Sequence, residues 1–218
     1  MDIFVNISEN PTDLCFIMNH YGSDKGHPNN DTWHSYTRFY NELFQPVRNQ
    51  NLRIFELGIG SINPNITSNM GPDGKPGASL RGWKQFFPNS KIFGADIDRD
   101  ILIQEDRIET FFCDQTNISS IKELWNEPVL NENGFDIIIE DGLHIFEYNV
   151  QFFENSLHKL NSGGVFIIED VGEYTVDRWN AKLFEWEVRN PNMSFRLFSV
   201  PSENNKFDNR LIIIQRQY

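Results

Sequence analysis

The stretch FDIIIEDGLH, residues 135–144, is the clearest indication of this chain's fold. An apolar run leads directly into two carboxylates, and a histidine follows three residues later. A near repeat, GVFIIEDVGE, occupies residues 164–173. Short apolar runs that alternate with helical patterns predict the parallel strands of an α/β protein. Two buried strands that each end in paired acids need a chemical reason.

The same alternation extends along the rest of the chain. Five more strands are predicted, and their sequences are RIFELGIG, KIFGADID, IETFFCD, SFRLFSV and NRLIIIQRQ. The last two would form an antiparallel hairpin. We therefore expect an α/β fold, doubly wound and Rossmann-like, with a mostly parallel seven-stranded sheet and an antiparallel C-terminal hairpin. Residues 1–218 would be a single domain, with a helical cap at 1–46 and a Rossmann-like core at 47–218.

An amphipathic helix is predicted between the two acid-ending strands. Apolar residues keep a spacing of three or four from Ile145 to Leu160, and Gly163 and Gly164 would end the helix. In doubly wound sheets, ligands bind at the carboxyl ends of the strands, where the strand order reverses. The acids of both strands lie at such ends.

The composition limits the classes of function. The chain has 218 residues, and 39% of them are hydrophobic, which is enough for one domain with a sizeable core. A net charge of -12 argues against nucleic acid as a partner, because phosphates need clustered Lys and Arg. Cys15 and Cys113 suggest neither a disulfide framework nor a zinc site.

The sequence also bears on where the protein is located in the cell. The first ten residues contain no basic region and no long apolar stretch, so no signal peptide is expected. No apolar run approaches the length that spans a membrane. We expect a cytoplasmic protein without a membrane partner, and a homo-oligomer is compatible with the sequence.

Three strand ends carry residues suited to a nucleoside. Glu56, Gly58 and Gly60 end the first strand, where glycines let the backbone pass close to a ligand. Asp96 ends the second, where a carboxylate accepts hydrogen bonds from ribose hydroxyls, and Asp114 ends the third, where an acid binds an adenine amino group. Any one strand-end Asp alone is more often a turn former, but three in order favour a nucleoside.

A second group of polar residues follows the fourth and fifth strands. Asp141 and His144 lie just past one strand, and Glu169 and Asp170 end the next. Neighbouring strand ends lie side by side, so these carboxylates would repel one another. A hard divalent cation removes that repulsion, and oxygen ligands suit Mg²⁺. The alternative is that some of the acids point away as N-caps of the following helices.

A series of motifs in a fixed order resembles a known family. The motifs are YGSDKG, ELGIG, GASLRGWKQFFP, IFGADID, DQTN, EDGLH and IIEDV. They resemble the class I S-adenosylmethionine-dependent methyltransferases and, more narrowly, the metal-dependent sugar O-methyltransferases of macrolide biosynthesis. The resemblance runs from about Tyr21 to Val171. It implies a methyltransferase fold, S-adenosyl-L-methionine and Mg²⁺ (or Mn²⁺) as cofactors, and a sugar hydroxyl of a glycan or glycosylated small molecule as acceptor.

The resemblance also implies roles for individual residues. Asp141, Glu169 and Asp170 match the metal ligands of the family, and His144 matches its general base, so that Asp141 and His144 are the catalytic pair. The residues assigned to the cofactor are Ser23, Glu56, Gly58, Gly60, Ser79, Leu80, Asp96, Asp114 and Gln115. Of these, Ser79 and Leu80 begin a helix, where free backbone N–H groups favour a carboxylate.

Some positions are open to two interpretations. The family has DDGSH where this chain has EDGLH, so Leu143 could reshape the acceptor pocket, and Glu140 has no predicted role. Lys25 either meets the methionine carboxylate or is a solvated surface charge. Tyr174 and Trp179 either line the acceptor site or pack in the core.

Three other functions are alternatives. His144 and Asp141 could imitate part of the facial triad of an iron- and oxoglutarate-dependent hydroxylase of the cephalosporin-hydroxylase kind. An NAD-dependent oxidoreductase is disfavoured because the third glycine of the dinucleotide fingerprint is missing. A non-catalytic S-adenosylmethionine-binding protein would bind the cofactor without transferring a methyl group.

Overall fold

A computed structural model describes residues 7, 10–29 and 32–217. Residues 1–6, the start of the predicted cap, lie outside the described residues. The helices are α1 (Asp13–Tyr21), α2 (Tyr36–Phe44), α3 (Ala78–Phe86), α4 (Ile118–Asn126), α5 (Pro128–Asn131), α6 (Phe146–Ser156) and α7 (Val176–Arg189). The strands are β1 (Arg53–Leu57), β2 (Lys91–Asp96), β3 (Gln104–Glu105), β4 (Ile108–Phe112), β5 (Phe135–Glu140), β6 (Leu160–Ile168), β7 (Met193–Ser199) and β8 (Arg210–Arg216).

The strands form one mixed sheet in the order β3-β4-β2-β1-β5-β6-β8-β7. The five strands from β4 to β6 in this order run parallel, and β8 pairs antiparallel with both β6 and β7. The predicted α/β fold and the antiparallel terminal hairpin are confirmed. The sheet has eight strands among the described residues, not seven, because the two-residue strand β3 pairs antiparallel with β4.

Helices cover both faces of the sheet. Alternate residues of each strand point to opposite faces, so that Ile54 packs with α1, α2 and α3, whereas Phe55 packs with α4 and α6. One face is built around Trp83 and the aromatic residues of α2, and the other around Trp125 and Phe152. The abundant phenylalanine is therefore mostly core.

The segment after α6 differs from the prediction. The helix ends at Ser156 and a single 3₁₀ turn follows, while β6 begins at Leu160. The two glycines lie inside β6, where the register against β5 shifts and Gly163 has a φ of 78°. Glycine tolerates positive φ in a bulge as readily as at a helix end, so the predicted helix stop was wrong.

The helices of the described part of the chain also bear on membrane association. None of them has both the length and the apolar character that a membrane span requires.

Candidate active site

The carboxyl ends of the parallel strands open into one cavity of about 310 Å³. Backbone hydrogen bonds continue past the strands and hold their ends together. The Asp141 N–H donates to the Leu57 carbonyl over 2.8 Å, and the Glu169 N–H donates to the Glu140 carbonyl over 3.0 Å. The two predicted groups of polar residues therefore reach the same cavity, one on each side of the point where the strand order reverses.

The turn after β1 brings the backbone close to the end of β5. Gly58 has a φ of 84°, and a Cβ added there would lie 1.9 Å from the carbonyl oxygen of Asp141. Gly60 has a φ of 87°, and a Cβ there would lie 2.0 Å from the sulfur of Met70. Both positions line the cavity and exclude any side chain larger than hydrogen.

The strand-end aspartates also line the cavity, and each accepts hydrogen bonds from residues of the loops at the strand ends. The carboxylate of Asp96 accepts hydrogen bonds from the N–H of Ile59 at 2.8 Å and of Asp98 at 2.9 Å. Burial raises the pKa of Asp96, against the effect of these two donors. Asp114 accepts hydrogen bonds from the N–H and the hydroxyl of Thr116, at 2.9 and 2.6 Å.

The other residues assigned to the cofactor divide into two groups. Ser23 and Ser79 line the cavity, Ser79 from the first turn of α3. Leu80 points into the core and is fully buried, so its side chain does not line the cavity. Glu56 is also fully buried and does not line the cavity. Its carboxylate accepts a hydrogen bond from the Trp83 indole at 2.5 Å.

Gln115 explains the position of Glu140, for which the sequence predicted no role. The Gln115 amide donates to the Glu140 carboxylate over 2.7 Å and accepts from the Leu143 N–H at 2.9 Å. Glu140 is fully buried, and burial raises its pKa to about 7, with nearby His144 acting in the opposite direction. The pair fixes the turn between β5 and α6, on which His144 lies.

Three predicted catalytic or metal residues converge at one point. Asp141, His144 and Asp170 each offer a ligand atom, and these atoms lie within 4.8 Å of one another. His144 and Asp170 have φ angles of 58° and 56°, in the left-handed region that costs free energy for residues other than glycine. Such strained residues concentrate at functional sites, because the surrounding structure has to hold them in place.

Asp170 contacts two residues of the helical cap and also contacts His144. Asp170 accepts a hydrogen bond from the Tyr36 hydroxyl at 2.8 Å, and its Oδ2 lies 3.5 Å from Nε2 of His34 and 3.6 Å from Nε2 of His144. Burial alone would lower the pKa of His144, but the charges of Asp170, Asp141 and Glu140 raise it above the usual value. A raised pKa makes the imidazole a stronger base.

Glu169 stands apart from this group. Its Oε1 accepts a hydrogen bond from the Tyr40 hydroxyl at 2.6 Å, and its Oε2 lies 2.5 Å from the ammonium of Lys25. Burial raises the pKa of Glu169 well above the usual value, and the Lys25 charge only partly offsets this. Glu169 therefore already has a strong partner at each oxygen.

Lys25 is not a solvated surface charge. Its side chain is 3% exposed, and its ammonium contacts Asp141 at 2.6 Å, Glu169 at 2.5 Å and Glu56 at 3.3 Å. Burial would lower the pKa of Lys25, but the three carboxylates outweigh it and raise the pKa well above its usual value. The sequence showed Lys25 only as part of a motif, without its partners.

The donor set suits a hard divalent cation. Carboxylate oxygens of Asp141 and Asp170 converge with one imidazole, and a third carboxylate, Glu169, lies beside them. Nδ1 of His144 and one oxygen of Glu140 are buried without a hydrogen-bond partner among the described residues. Such a concentration of buried acid is relieved by a bound cation.

The two aromatic candidates for the acceptor site take other places. Trp179 is buried and packs against Phe146 and Trp186, so its role is in the core. Tyr174 is 87% exposed, contacts Phe207 and does not line the cavity. Trp33, from the segment before α2, does line the cavity and is half exposed.

Comparison with known proteins identifies relatives. No family model matches the sequence. The 8-demethyl-8-(2-methoxy-alpha-L-rhamnosyl)-tetracenomycin-C 3'-O-methyltransferase of Streptomyces olivaceus is 32% identical over 173 residues, 78% of this chain and 40% of that protein. Demethylmacrocin O-methyltransferase of Streptomyces fradiae is 34% identical over 138 residues, 63% of this chain and 32% of that protein. In sequence, this chain is similar to sugar O-methyltransferases. It spans well under half the length of these relatives.

A solved structure agrees on the fold. MycE methyltransferase of mycinamycin biosynthesis, in complex with Mg, SAH and mycinamycin VI, has a TM-score of 0.70 and 23% identity. The match covers 96% of this chain and 56% of MycE. The predicted Rossmann-like fold is therefore confirmed, and the sequence relatives confirm the predicted resemblance to sugar O-methyltransferases.

Proposed function

We propose that this sugar O-methyltransferase relative transfers a methyl group from S-adenosylmethionine to a sugar hydroxyl, with Mg²⁺ or Mn²⁺ at the acid cluster. One observation carries the proposal. The cavity that is lined by Gly58, Asp96 and Asp114 is the same cavity that is lined by His144 and Asp170. A nucleoside cofactor and a proton-accepting group would therefore act on one acceptor.

The cofactor half follows from the strand ends. Asp96 and Asp114 would accept hydrogen bonds from the ribose and the adenine, and Gly58 and Gly60 leave room for the cofactor beside the backbone. Ser79, in the first turn of α3, lies where free N–H groups favour the methionine carboxylate. Gln115 also lines the cavity, with its side-chain amide held by Glu140 and Leu143, whereas the side chain of Leu80 lies in the core.

The metal half follows from the carboxylates. Asp141 and Asp170, together with Glu169, would hold the ion. When bound, a divalent cation lowers the pKa of a coordinated hydroxyl and so supplies a better nucleophile at neutral pH. Tyr36 and His34 keep Asp170 in its strained conformation, and Tyr40 orients Glu169.

His144 is proposed as the general base. Its imidazole faces the carboxylates from the turn after β5, and in its neutral form it can accept the proton of the acceptor hydroxyl. The alkoxide oxygen forms the new bond to the methyl carbon as the carbon–sulfur bond of the sulfonium breaks. The proton remains on His144 until solvent removes it.

The acceptor class rests on the relatives. The name of the Streptomyces olivaceus relative specifies a rhamnosyl group on a tetracenomycin, so a sugar on a glycosylated small molecule is the proposed acceptor, with a glycan as the alternative. Leu143 lies in the cavity wall beside His144, where the family has a smaller polar residue. We expect the acceptor to present an apolar surface there.

Binding and turnover test the proposal separately. Calorimetry should show that S-adenosylhomocysteine binds, and the proposal fails if it does not. Methyl transfer to a panel of rhamnosylated or macrolide glycosides should require Mg²⁺ and stop in EDTA. A protein that binds the cofactor but methylates no member of a broad panel would be a non-catalytic binding protein.

A matched pair of histidine variants tests the base. His144→Ala should lower kcat by about 10²–10⁴-fold while S-adenosylhomocysteine binding stays unchanged. His158→Ala removes an exposed histidine of the turn before β6 and should leave kcat unchanged. Equal activity of the two variants would contradict the assignment of His144.

The hydroxylase alternative is weakened by the donor set. The converging group has one imidazole and two carboxylates, whereas the facial triad of non-haem iron enzymes has two imidazoles and one carboxylate. Consumption of oxoglutarate in the presence of iron would reverse this conclusion.

A further inference from the structure

The ammonium of Lys25 lies among the carboxylates that a divalent cation would use. It contacts Oδ2 of Asp141 at 2.6 Å and Oε2 of Glu169 at 2.5 Å, with Glu56 at 3.3 Å. An ammonium has three N–H donors, and here three carboxylates surround it. Lys25 thus acts as a cation built into the chain, in contact with two of the three predicted metal ligands.

Two cations cannot share these oxygens without cost. Asp141 is the carboxylate common to both arrangements, because it contacts Lys25 and also faces His144 and Asp170. An ammonium and a divalent ion on the same carboxylates would be within a few ångströms of each other, and like charges at that distance repel strongly in a buried site. One of the two has to give way.

We propose that Lys25 is an internal competitor of the divalent cation, and that its ammonium leaves Asp141 and Glu169 when the metal binds. The inference rests on the proposed metal site. It adds that metal affinity is set partly by the displacement of a lysine of the chain. It also explains how Glu56, Asp141 and Glu169 can coexist: Lys25 balances part of their charge until the metal takes over.

The chain allows the side chain to move while the backbone stays in place. The Lys25 carbonyl accepts a hydrogen bond from the Thr37 N–H at 3.1 Å, and its N–H donates to the hydroxyl of Ser23 at 3.3 Å. A Cβ on Gly26 would lie 1.9 Å from the Thr37 hydroxyl oxygen, so the segment packs tightly against the start of α2. The four-carbon stem of Lys25 lines the cavity and can turn into it.

Metal affinity of a matched pair of variants tests the competition. Lys25→Met keeps the length of the stem and removes the charge, whereas Lys75→Met removes an exposed lysine from the rim of the same cavity. Binding of Mn²⁺ to the cofactor-free protein is measured by electron paramagnetic resonance at pH 8. We expect Lys25→Met to bind Mn²⁺ about tenfold more tightly than the wild type, and Lys75→Met to match the wild type.

The results separate the two proposals. If the wild type binds no Mn²⁺ and no Mg²⁺, the metal part of the proposed function fails. If the wild type binds Mn²⁺ and Lys25→Met binds it equally well or more weakly, the competition is overturned while the metal site stands.

A second measurement uses the wild type, in case Lys25→Met does not fold. Reductive methylation with formaldehyde and a borane, followed by peptide mass spectrometry, reports which lysines are accessible. Saturating Mg²⁺ should increase the modification of Lys25 several-fold relative to EDTA, while exposed Lys75 reacts equally in both. If Lys25 stays as protected with Mg²⁺ as without it, the ammonium is not displaced and the proposal is wrong.

Discussion

Gly58 connects the two halves of the site at the scale of a single residue. Its positive φ and the missing side chain let the turn after β1 pass against the carbonyl of Asp141. The same residue therefore lines the cavity and lies directly against the end of β5. A glycine elsewhere in the neighbouring loop has no such neighbour: Gly71 has a φ of 73°, and nothing lies within 4 Å of its added Cβ.

The two glycines give a matched stability prediction. Gly58→Ala should lower the free energy of unfolding by more than about 3 kcal/mol, because a left-handed alanine costs about 1–2 kcal/mol and the backbone must also shift. Gly71→Ala should cost only about 1–2 kcal/mol. Urea denaturation measures both, and equal losses would show that the contact with Asp141 contributes nothing.

Cys113 gives a prediction about reactivity. It lines the cavity yet is 1% exposed, and burial raises its pKa to about 12. The thiolate is the reactive form, so at pH 8 only about one thiol in ten thousand is available. We expect dithionitrobenzoate to modify Cys113 far more slowly in the native protein than in urea. Peptide mass spectrometry identifies the modified cysteine. Equal rates of modification in the two conditions would contradict the burial of this thiol.

At the scale of the elements, α2 holds the acid cluster in place. Tyr36 and Tyr40 are one turn apart on its buried face, and their hydroxyls donate to Asp170 and Glu169. The rings of both tyrosines are buried in the core. A buried tyrosine hydroxyl also needs a partner, and that was the available signal that α2 reaches the site.

A phenylalanine substitution tests the role of α2. Tyr40→Phe removes the donor to a buried carboxylate and should lower the free energy of unfolding by about 1.5–3 kcal/mol. Tyr21→Phe makes the same chemical change in the last turn of α1 and should cost less than about 0.5 kcal/mol. Thermal denaturation compares the stabilities of the two variants. A Tyr40→Phe protein as stable as the Tyr21→Phe protein would mean that Glu169 does not depend on this hydroxyl.

At the scale of the whole molecule, the strands of the sheet differ in how deeply they are buried. The central strands β1, β5 and β6 are buried on both faces, whereas β4 is half buried along most of its length and β3 has two exposed residues. The site lies over the central strands. The most deeply buried part of the sheet therefore carries the residues of the candidate site.

Amide hydrogen exchange should follow that order. Amides of β1 and β5 should exchange only through global unfolding, because burial and pairing on both sides protect them. Amides of β3 and the outer side of β4 should exchange through local opening, at least about tenfold faster. Mass spectrometry of the exchanged peptides measures this, and uniform protection across the sheet would contradict it.

The sequence was sufficient for the fold because each strand is a short apolar run between helical patterns. It missed β3, since Gln104 and Glu105 are exposed and gain strand geometry only by pairing with β4. It misplaced the end of α6, since glycine serves a helix end and a strand bulge equally well. Both errors concern backbone choices that neighbouring strands decide.

For the site, the sequence by itself determined which residues gather, because strand ends in a parallel sheet share one edge. Glu140, Asp141, Glu169 and Asp170 follow from that rule. Only the tertiary structure decided which partner each of these acids has. It placed Glu140 with Gln115 beneath the turn, Glu169 with Lys25 and Tyr40, and Asp141 and Asp170 with His144. The physical reason is that buried charges must each find a partner. For Asp141 and Glu169 those partners, Lys25 and Tyr40, lie more than a hundred residues away along the chain.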